Sequence, residues 1–275
     1  MGLFTIDKQK CNLCGLCVTD CPGFVVAMSG ADGFPLLSQG GQDRCIKCGH
    51  CVAVCPNGAF NHRLMSAEQC VEINRKILPS PQSVEHFLKS RRSTRVFKME
   101  PVDHSTLEKI VDVSRYAPSG HNTQPVDWIV VSGREKLKGM GDLVAEWMRG
   151  AVKEKPALDS MMKLGMVADS WSLGVDIITR GAPHMVVAHA PRLYGPVGQE
   201  GCIIALAYLE LAAYSLGVGA CWAGYFEMAA VNYMPLQRAL NLPEGNRPYG
   251  AMMLGWPKYE YSRIPLRKEA EIQWI

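Results

Sequence analysis

Eight of the eleven cysteines fall between Cys11 and Cys55, in two matching runs: Cys11-x2-Cys14-x2-Cys17-x3-Cys21-Pro22 and Cys45-x2-Cys48-x2-Cys51-x3-Cys55-Pro56. Thiolates at this spacing can hold three irons of a cubane from one short loop, with the fourth reaching across to another cluster. On that rule Cys11, Cys14, Cys17 and Cys55 bind one [4Fe-4S] cluster, and Cys45, Cys48, Cys51 and Cys21 bind a second. Gly15 and Gly49 are expected to let backbone amides approach the sulfurs. An odd cysteine count and no export signal argue against disulfides. A third cysteine three residues on, with proline after the fourth, is not a zinc pattern. Cys70, Cys202 and Cys221 sit in helical or apolar settings and read as buried free thiols.

Composition narrows the remaining classes. The chain has 275 residues, 48% hydrophobic and 20% charged, values that exclude collagen-like, coiled-coil and disordered readings. A net charge of +3, from 29 basic against 26 acidic residues, is too balanced to point to nucleic acid. The N-terminal residues carry no basic region leading into an apolar core, and Ile6 breaks the myristoylation motif that Gly2 would begin. The apolar stretch 201–226 contains Glu210 and four glycines, so it reads as a buried helix and turn, not a membrane span. A cytoplasmic protein with no membrane partner is expected.

The Pro/Ser cluster Leu78-Pro79-Ser80-Pro81-Gln82-Ser83 marks a boundary, after a stretch that becomes helical in period beyond Pro56. This divides the chain into residues 1–62, a linker 63–82 and residues 83–275. A helix follows, with Ser83 able to cap it, then Arg91-Arg92-Ser93-Thr94-Arg95, a cluster of charge-assisted donors suited to a phosphate. Ser105 and Glu108 stand at capping-box spacing ahead of another helix. Ala117-Pro118-Ser119-Gly120-His121-Asn122-Thr123-Gln124-Pro125 forms a loop, followed by a strand from Trp128 to Ser132. Arg180-Gly181-Ala182-Pro183 leads into a strand from His184 to Ala190. A helix Cys202–Leu216 precedes Gly217-Val-Gly-Ala-Cys-Trp-Ala-Gly224, and Leu254-Gly255-Trp256-Pro257 lies near the end.

Residues 1–62 resemble the bacterial two-cluster ferredoxins, although four Lys/Arg and four Asp give them none of the acidity expected of a free carrier. Residues 83–275 resemble the FMN-dependent nitroreductase family, so the chain looks like a ferredoxin–nitroreductase fusion. The resemblance implies an α+β fold, a central mostly antiparallel sheet flanked by helices, preceded by a ferredoxin-like two-cluster domain. It implies FMN held at the phosphate and ribityl chain by Arg91, Arg92, Ser93 and Arg95, joined by a C-terminal arginine, Arg267 by preference or Arg263. Pro118, Ser119, Gly120 and Asn122 would reach the flavin of a partner subunit in a homodimer. Ala223 and Gly224 would pass near the flavin edge, where glycine admits close backbone approach. Trp147 and Trp171 are expected in core or lid packing.

No catalytic triad, carboxylate pair or P-loop emerges, as expected where the flavin carries the chemistry. The leading expectation is an FMN oxidoreductase reducing a nitro, quinone or similar conjugated small-molecule acceptor, fed through two [4Fe-4S] clusters. A ferredoxin or another low-potential donor would then supply electrons. The competing expectation is an electron carrier serving a protein partner without its own small-molecule substrate. A third keeps the enzyme and makes the ferredoxin segment a docking module.

Overall fold

The computed structural model describes residues 2–275. The chain divides into two compact units: residues 1–79 with 121–123, and residues 80–120 with 124–275.

The first unit runs β1 (Phe4–Ile6), α1 (Leu16–Thr19), β2 (Val26–Met28), β3 (Pro35–Leu37), α2 (Gly41–Arg44), α3 (His50–Ala53) and β4 (Phe60–His62). β1 pairs antiparallel with β4, and β2 with β3. The two cysteine runs fold alike. Leu13 and Lys47, inside the first Cys-x2-Cys of each run, have φ of 60° and 57°. Gly15 and Gly49, at φ 72° and 76°, start the one-turn helices α1 and α3. These glycines are therefore set first by a left-handed backbone that L-residues adopt at a cost. The core is small: Leu3, Val25, Val26, Val52 and Phe60, with the buried Cys17. Beyond Pro56 the expected helix does not form. β4 is followed by two single turns, Ala67–Gln69 and Arg75–Ile77; residues 69–80 are exposed, Val71, Ile73, Ile77 and Leu78 included, so no tertiary packing holds a longer helix there.

The second unit begins with α4 (Pro81–Ser90) and α5 (His104–Ser114), then β5 (Asp127–Ser132), α6 (Arg134–Glu154), α7 (Pro156–Met162) and α8 (Leu164–Ser172). β6 (His184–Pro191), α9 (Gly195–Ser215), β7 (Gly219–Trp222), α10 (Gly224–Asn232), α11 (Met234–Ala239) and β8 (Asn246–Gly255) complete it. The four strands form one antiparallel sheet in the order β5-β6-β8-β7. β6 is buried on both faces from His184 to Ala190, the pattern of a strand covered by helices above and below. Met185 and Val187 face α6, α8 and α10, whereas Val186, Ala188 and Ala190 face α5 and α9. Trp147 is buried in the first of these layers. Trp171 packs on the same layer and donates its Nε1–H to Asp142 at 2.8 Å. Two buried histidines of β6 are structural. His184 Nε2 accepts the Val102 N–H at 3.0 Å, and His189 Nδ1 faces the Asn246 amide at 2.8 Å.

Helix starts differ from the sequence expectation in which hydroxyl does the capping. α4 is capped by Ser80, whose Oγ accepts the Ser83 N–H. α5 is capped by Asp103, which accepts the Thr106 N–H at 2.9 Å and the Ser105 hydroxyl at 2.6 Å; Ser105 itself lies inside the first turn. A carboxylate outcompetes a hydroxyl here because its charge also meets the helix N-terminal dipole.

These donors, the Ser105 hydroxyl first, hold Asp103 down to a pKa of about 2 from an ordinary 3.8. The folded pKa is depressed, so its contribution to stability is full above pH 3.8 and lost as pH falls through about 2. Asp103→Ala is expected to lower the urea midpoint at neutral pH. In titrated unfolding curves its deficit against the parent should shrink steadily as pH is taken from 4 towards 2.

Candidate functional site

No disulfide joins any of the eleven cysteines; Cys202 and Cys221 are buried as expected, whereas Cys70 is exposed because the segment that holds it packs on nothing. Cys21, Cys45, Cys48 and Cys51 line one cavity of the first unit, so the fourth cysteine of the first run joins three from the second. The remaining four group the same way: the Cys17 thiol is pushed up to about 11, mainly by burial and further by the charges of Cys55, Cys11 and Cys14. Cys51 is pushed up to about 12, again mainly by burial and then by Cys21 and Cys48. Among the described residues, no three His, Cys, Asp or Glu groups lie as close as a shared single ion would require. The fourth sulfur of each run receives a backbone amide four residues on: Val25 N–H to Cys21 Sγ at 3.3 Å, and Ala59 N–H to Cys55 Sγ at 3.2 Å. Such amides stabilise negative charge on sulfur. Thiols gathered in this way, with amides aimed at their sulfurs, have the donor chemistry that an iron–sulfur cluster takes.

The second unit holds two cavities against β7. The larger, about 820 Å³, is lined by Arg91, Arg92, Glu210, Tyr214, Tyr261 and Arg263, among others. Its entrance segment is held by Thr94, which is 5% exposed and donates its N–H to Ala220 O at 2.8 Å. The Thr94 side chain lies against Gly219, where an added Cβ would come within 2.5 Å of Oγ1. Gly217 has a different task. At φ 75° it ends α9, with Val218 N–H bonding to Ala213 O and Gly217 N–H to Tyr214 O.

Within this cavity Arg91 pairs with Glu210 at 2.7 Å. Burial raises the Glu210 pKa, and the Arg91 charge opposes that only in part. Ser90 and Tyr214 hydroxyls meet at 2.8 Å beside it. Of the two C-terminal arginines weighed from the sequence, Arg263 lines this cavity, and Arg267 is exposed and lines none described. Ser93 is half-buried and its carbonyl accepts the Tyr261 hydroxyl at 3.4 Å.

The smaller cavity, about 210 Å³, is lined by Arg95, Arg180, Cys221, Trp222, Ala223 and Gly224 with several apolar side chains. A Cβ on Gly224 would meet nothing within 4 Å, so the glycine leaves open space along the cavity wall. Ala223 is buried, its N–H bonded to Ala251 O at 2.8 Å. The sequence-predicted residues therefore fall in two neighbouring hollows of one unit, Arg91 and Arg92 in one, Arg95, Ala223 and Gly224 in the other.

The loop after α5 lines neither. Pro118, Ser119 and Gly120 are exposed or half-buried, with Ser119 Oγ accepting the Gln124 N–H at 2.9 Å. His121, Asn122 and Gln124 hold φ of 51°, 54° and 45°, three left-handed non-glycine residues within four positions. Residues 121–123 belong to the first unit, where the Asn122 amide donates to the carbonyls of Ile46 and Lys47 at 3.3 and 3.1 Å. Sequence reasoning missed Glu210, Thr94 and Arg180. Glu210 had a signal, being the lone charge in the stretch 201–226; Thr94 and Arg180 stood inside quoted motifs, but nothing local gave either a role of its own.

Comparison with known proteins agrees with this architecture. Residues 10–60 match the 4Fe-4S dicluster domain. A candidate NADH dehydrogenase/NAD(P)H nitroreductase of Archaeoglobus fulgidus is 26% identical over 174 residues, 62% of this chain and 83% of that protein. A protein of the same description from Methanothermobacter thermautotrophicus is 27% identical, over 68% of this chain and 83% of its own length. Among solved structures, an FMN-bound nitroreductase from Desulfitobacterium hafniense aligns with a TM-score of 0.55 and 23% identity, covering 72% of this chain and all of that one. An FMN-bound nitroreductase from Bacteroides fragilis gives a TM-score of 0.54 and 22% identity, covering 69% and 94%. At these identities the structures establish the fold. With the nitroreductase family matched over residues 88–256, the chain belongs to the nitroreductase family and carries a 4Fe-4S dicluster ferredoxin domain ahead of it.

Proposed function

We propose that this chain is an FMN-dependent oxidoreductase that reduces a nitro, quinone or other conjugated acceptor with electrons delivered through two [4Fe-4S] clusters. The observation that carries this reading is the large cavity in which Arg91, Arg92 and Arg263 gather beside β7. Three guanidiniums supply the forked N–H donors that a phosphate takes, and they outnumber the two carboxylates of the same lining, Glu210 and Glu260. The FMN bound in the two solved relatives supports the same cofactor here. When bound, FMN would supply both one-electron and two-electron chemistry, which is what coupling a one-electron cluster donor to a conjugated acceptor demands.

The chain's own residues then have distinct tasks. Arg91, Arg92, Ser93 and Arg263 bind the phosphate and ribityl chain, with Arg263 preferred to Arg267 by its place in the cavity. Glu210 keeps Arg91 aimed inward before the phosphate arrives. Arg95, Ala223 and Gly224 border the ring, Gly224 by leaving space. Pro118, Ser119, Gly120 and Asn122 serve the flavin of a second copy. Ile203, Ile204 and Tyr208, large apolar side chains exposed together on α9, support a homodimer. Cys11, Cys14, Cys17 and Cys55 hold one cluster, and Cys45, Cys48, Cys51 and Cys21 the other. On this reading residues 1–62 are the cluster domain, 63–82 the linker and 83–275 the flavin domain. Among the described residues no helix is long and apolar enough to cross a membrane.

Anaerobic reduction followed by absorption and EPR tests the electron route. A reduced low-potential donor should reduce clusters and flavin together and drive turnover of a nitro or quinone acceptor. Flavin reduction by NADH with the clusters left oxidised would reject cluster entry. Rapid reduction without turnover of any acceptor would favour the electron-carrier reading.

Two variant experiments test the sites. Arg91→Ala should strip most FMN from the purified protein and leave iron content near that of the parent, while Cys48→Ala should do the reverse; equal losses in both would refute separate sites. Gly219→Ala should displace Thr94 and the arginine segment with it, lowering FMN occupancy severalfold at unchanged iron content, as read by flavin absorbance per protein.

A further inference from the structure

The smaller cavity contains more cation than the flavin assignment uses. Arg95 and Arg180 both line it, no acidic side chain does, and neither guanidinium is ion-paired or hydrogen-bonded through its side chain among the described residues. Arg95 is already assigned to the flavin, which leaves Arg180 without a task. The rest of the lining is mainly apolar, Met162, Ile177, Ile178 and Tyr225 among it.

Arg180 is also placed there by a built turn. Its backbone sits at φ 53°, a conformation that a non-glycine side chain disfavours and that persists only where surrounding bonds over-determine it. Asp176 supplies those bonds. Its Oδ1 accepts the Thr179 N–H at 2.6 Å, and its Oδ2 accepts the Thr179 hydroxyl at 2.5 Å and the Gly181 N–H at 2.7 Å. The nearest acid in sequence is thus committed to shaping the turn on both sides of Arg180. Residues held in strained backbone cluster at ligand clamps.

We infer that Arg180 is the specificity-determining contact for a negatively charged acceptor, and that the physiological substrate is a small conjugated organic acid whose carboxylate meets this guanidinium. The inference rests on the proposed flavin enzyme and names its substrate class. A planar guanidinium binds a carboxylate through two parallel hydrogen bonds, and the apolar walls suit the conjugated remainder of such a molecule. At about 210 Å³ the cavity is smaller than the roughly 300–1,000 Å³ of sites for drug-sized ligands, and because Arg95, Ala223 and Gly224 of its wall border the flavin ring on the proposed reading, only a small acid fits beside that ring at Arg180.

The test uses the full-length, FMN- and cluster-loaded protein with two acceptors of one shape, 4-nitrobenzoate and the neutral 4-nitrobenzyl alcohol, and benzoate as a non-reducible probe. Benzoate binding is read by flavin absorbance and calorimetry. Arg180→Gln is expected to weaken benzoate binding about tenfold or more, and to lower by a similar factor the ratio of kcat/KM for the nitrobenzoate to that for the alcohol. Arg180→Lys should restore part of both. Loss of benzoate binding in Arg180→Gln supports the inference even if neither nitro compound turns over, an outcome that would instead reject the proposed reaction. Failure of the parent to bind benzoate, or equal losses for acid and alcohol, would overturn it. A lowered flavin potential with no discrimination between acid and alcohol would also overturn it, by assigning Arg180 to the cofactor.

Discussion

The second unit's site depends on one contact, the buried Thr94 against the start of β7. Its amide is bonded to Ala220 and its side chain fills the space that a Cβ on Gly219 would need. That contact pins a segment of three arginines to a strand that is itself held by β8. Because Thr94 is anchored, residues before and after it diverge: Arg91 and Arg92 open into the larger hollow, Arg95 into the smaller. Two binding spaces of different chemistry thus arise from a five-residue run. A loop free at this point would place the same charges in solvent, where they would recognise little.

Charge is managed differently in the two hollows. In the larger one Arg91 has an internal partner, the Glu210 carboxylate, so a ligand anion must share that guanidinium with a carboxylate. Burial already pushes Glu210 towards its neutral form, which lessens the repulsion an incoming anion would meet. In the smaller hollow the cations have no internal partner, and the nearby Cys221 thiol is kept neutral by burial despite their pull.

The first unit solves another problem. Its apolar core amounts to a handful of side chains, few for an independent fold. Only Cys17 and Cys51 lie in helices, α1 and α3; the other six thiols of the two runs sit in the connecting turns, where left-handed residues at matched positions bring Cys21 to Cys45, Cys48 and Cys51. Metal–thiolate bonding would add to folding what the core does not supply.

Much of this was legible in the sequence. The repeated cysteine spacing determined the crossed grouping of eight thiols, because ligand spacing is a local property of a short loop. The alternation of helix and strand signals, the arginine-rich entry and the glycine after β7 also lay in contiguous motifs, and so did their order. What only the tertiary structure decided were relations between distant positions. Glu210 comes to Arg91 from 119 residues away, and Arg263 replaces Arg267 at the cavity because the chain leaves β8 along its rim. Gly219 is glycine because Thr94 lies on it, a packing reason no local pattern encodes. Capping moved from Ser105 to Asp103, since helix ends are settled by which acceptor reaches the first free amides. Arg180 looked like a residue before a strand, and only the Asp176 turn, together with a wall of side chains from elsewhere in the chain, makes it an unpaired cation facing a cavity.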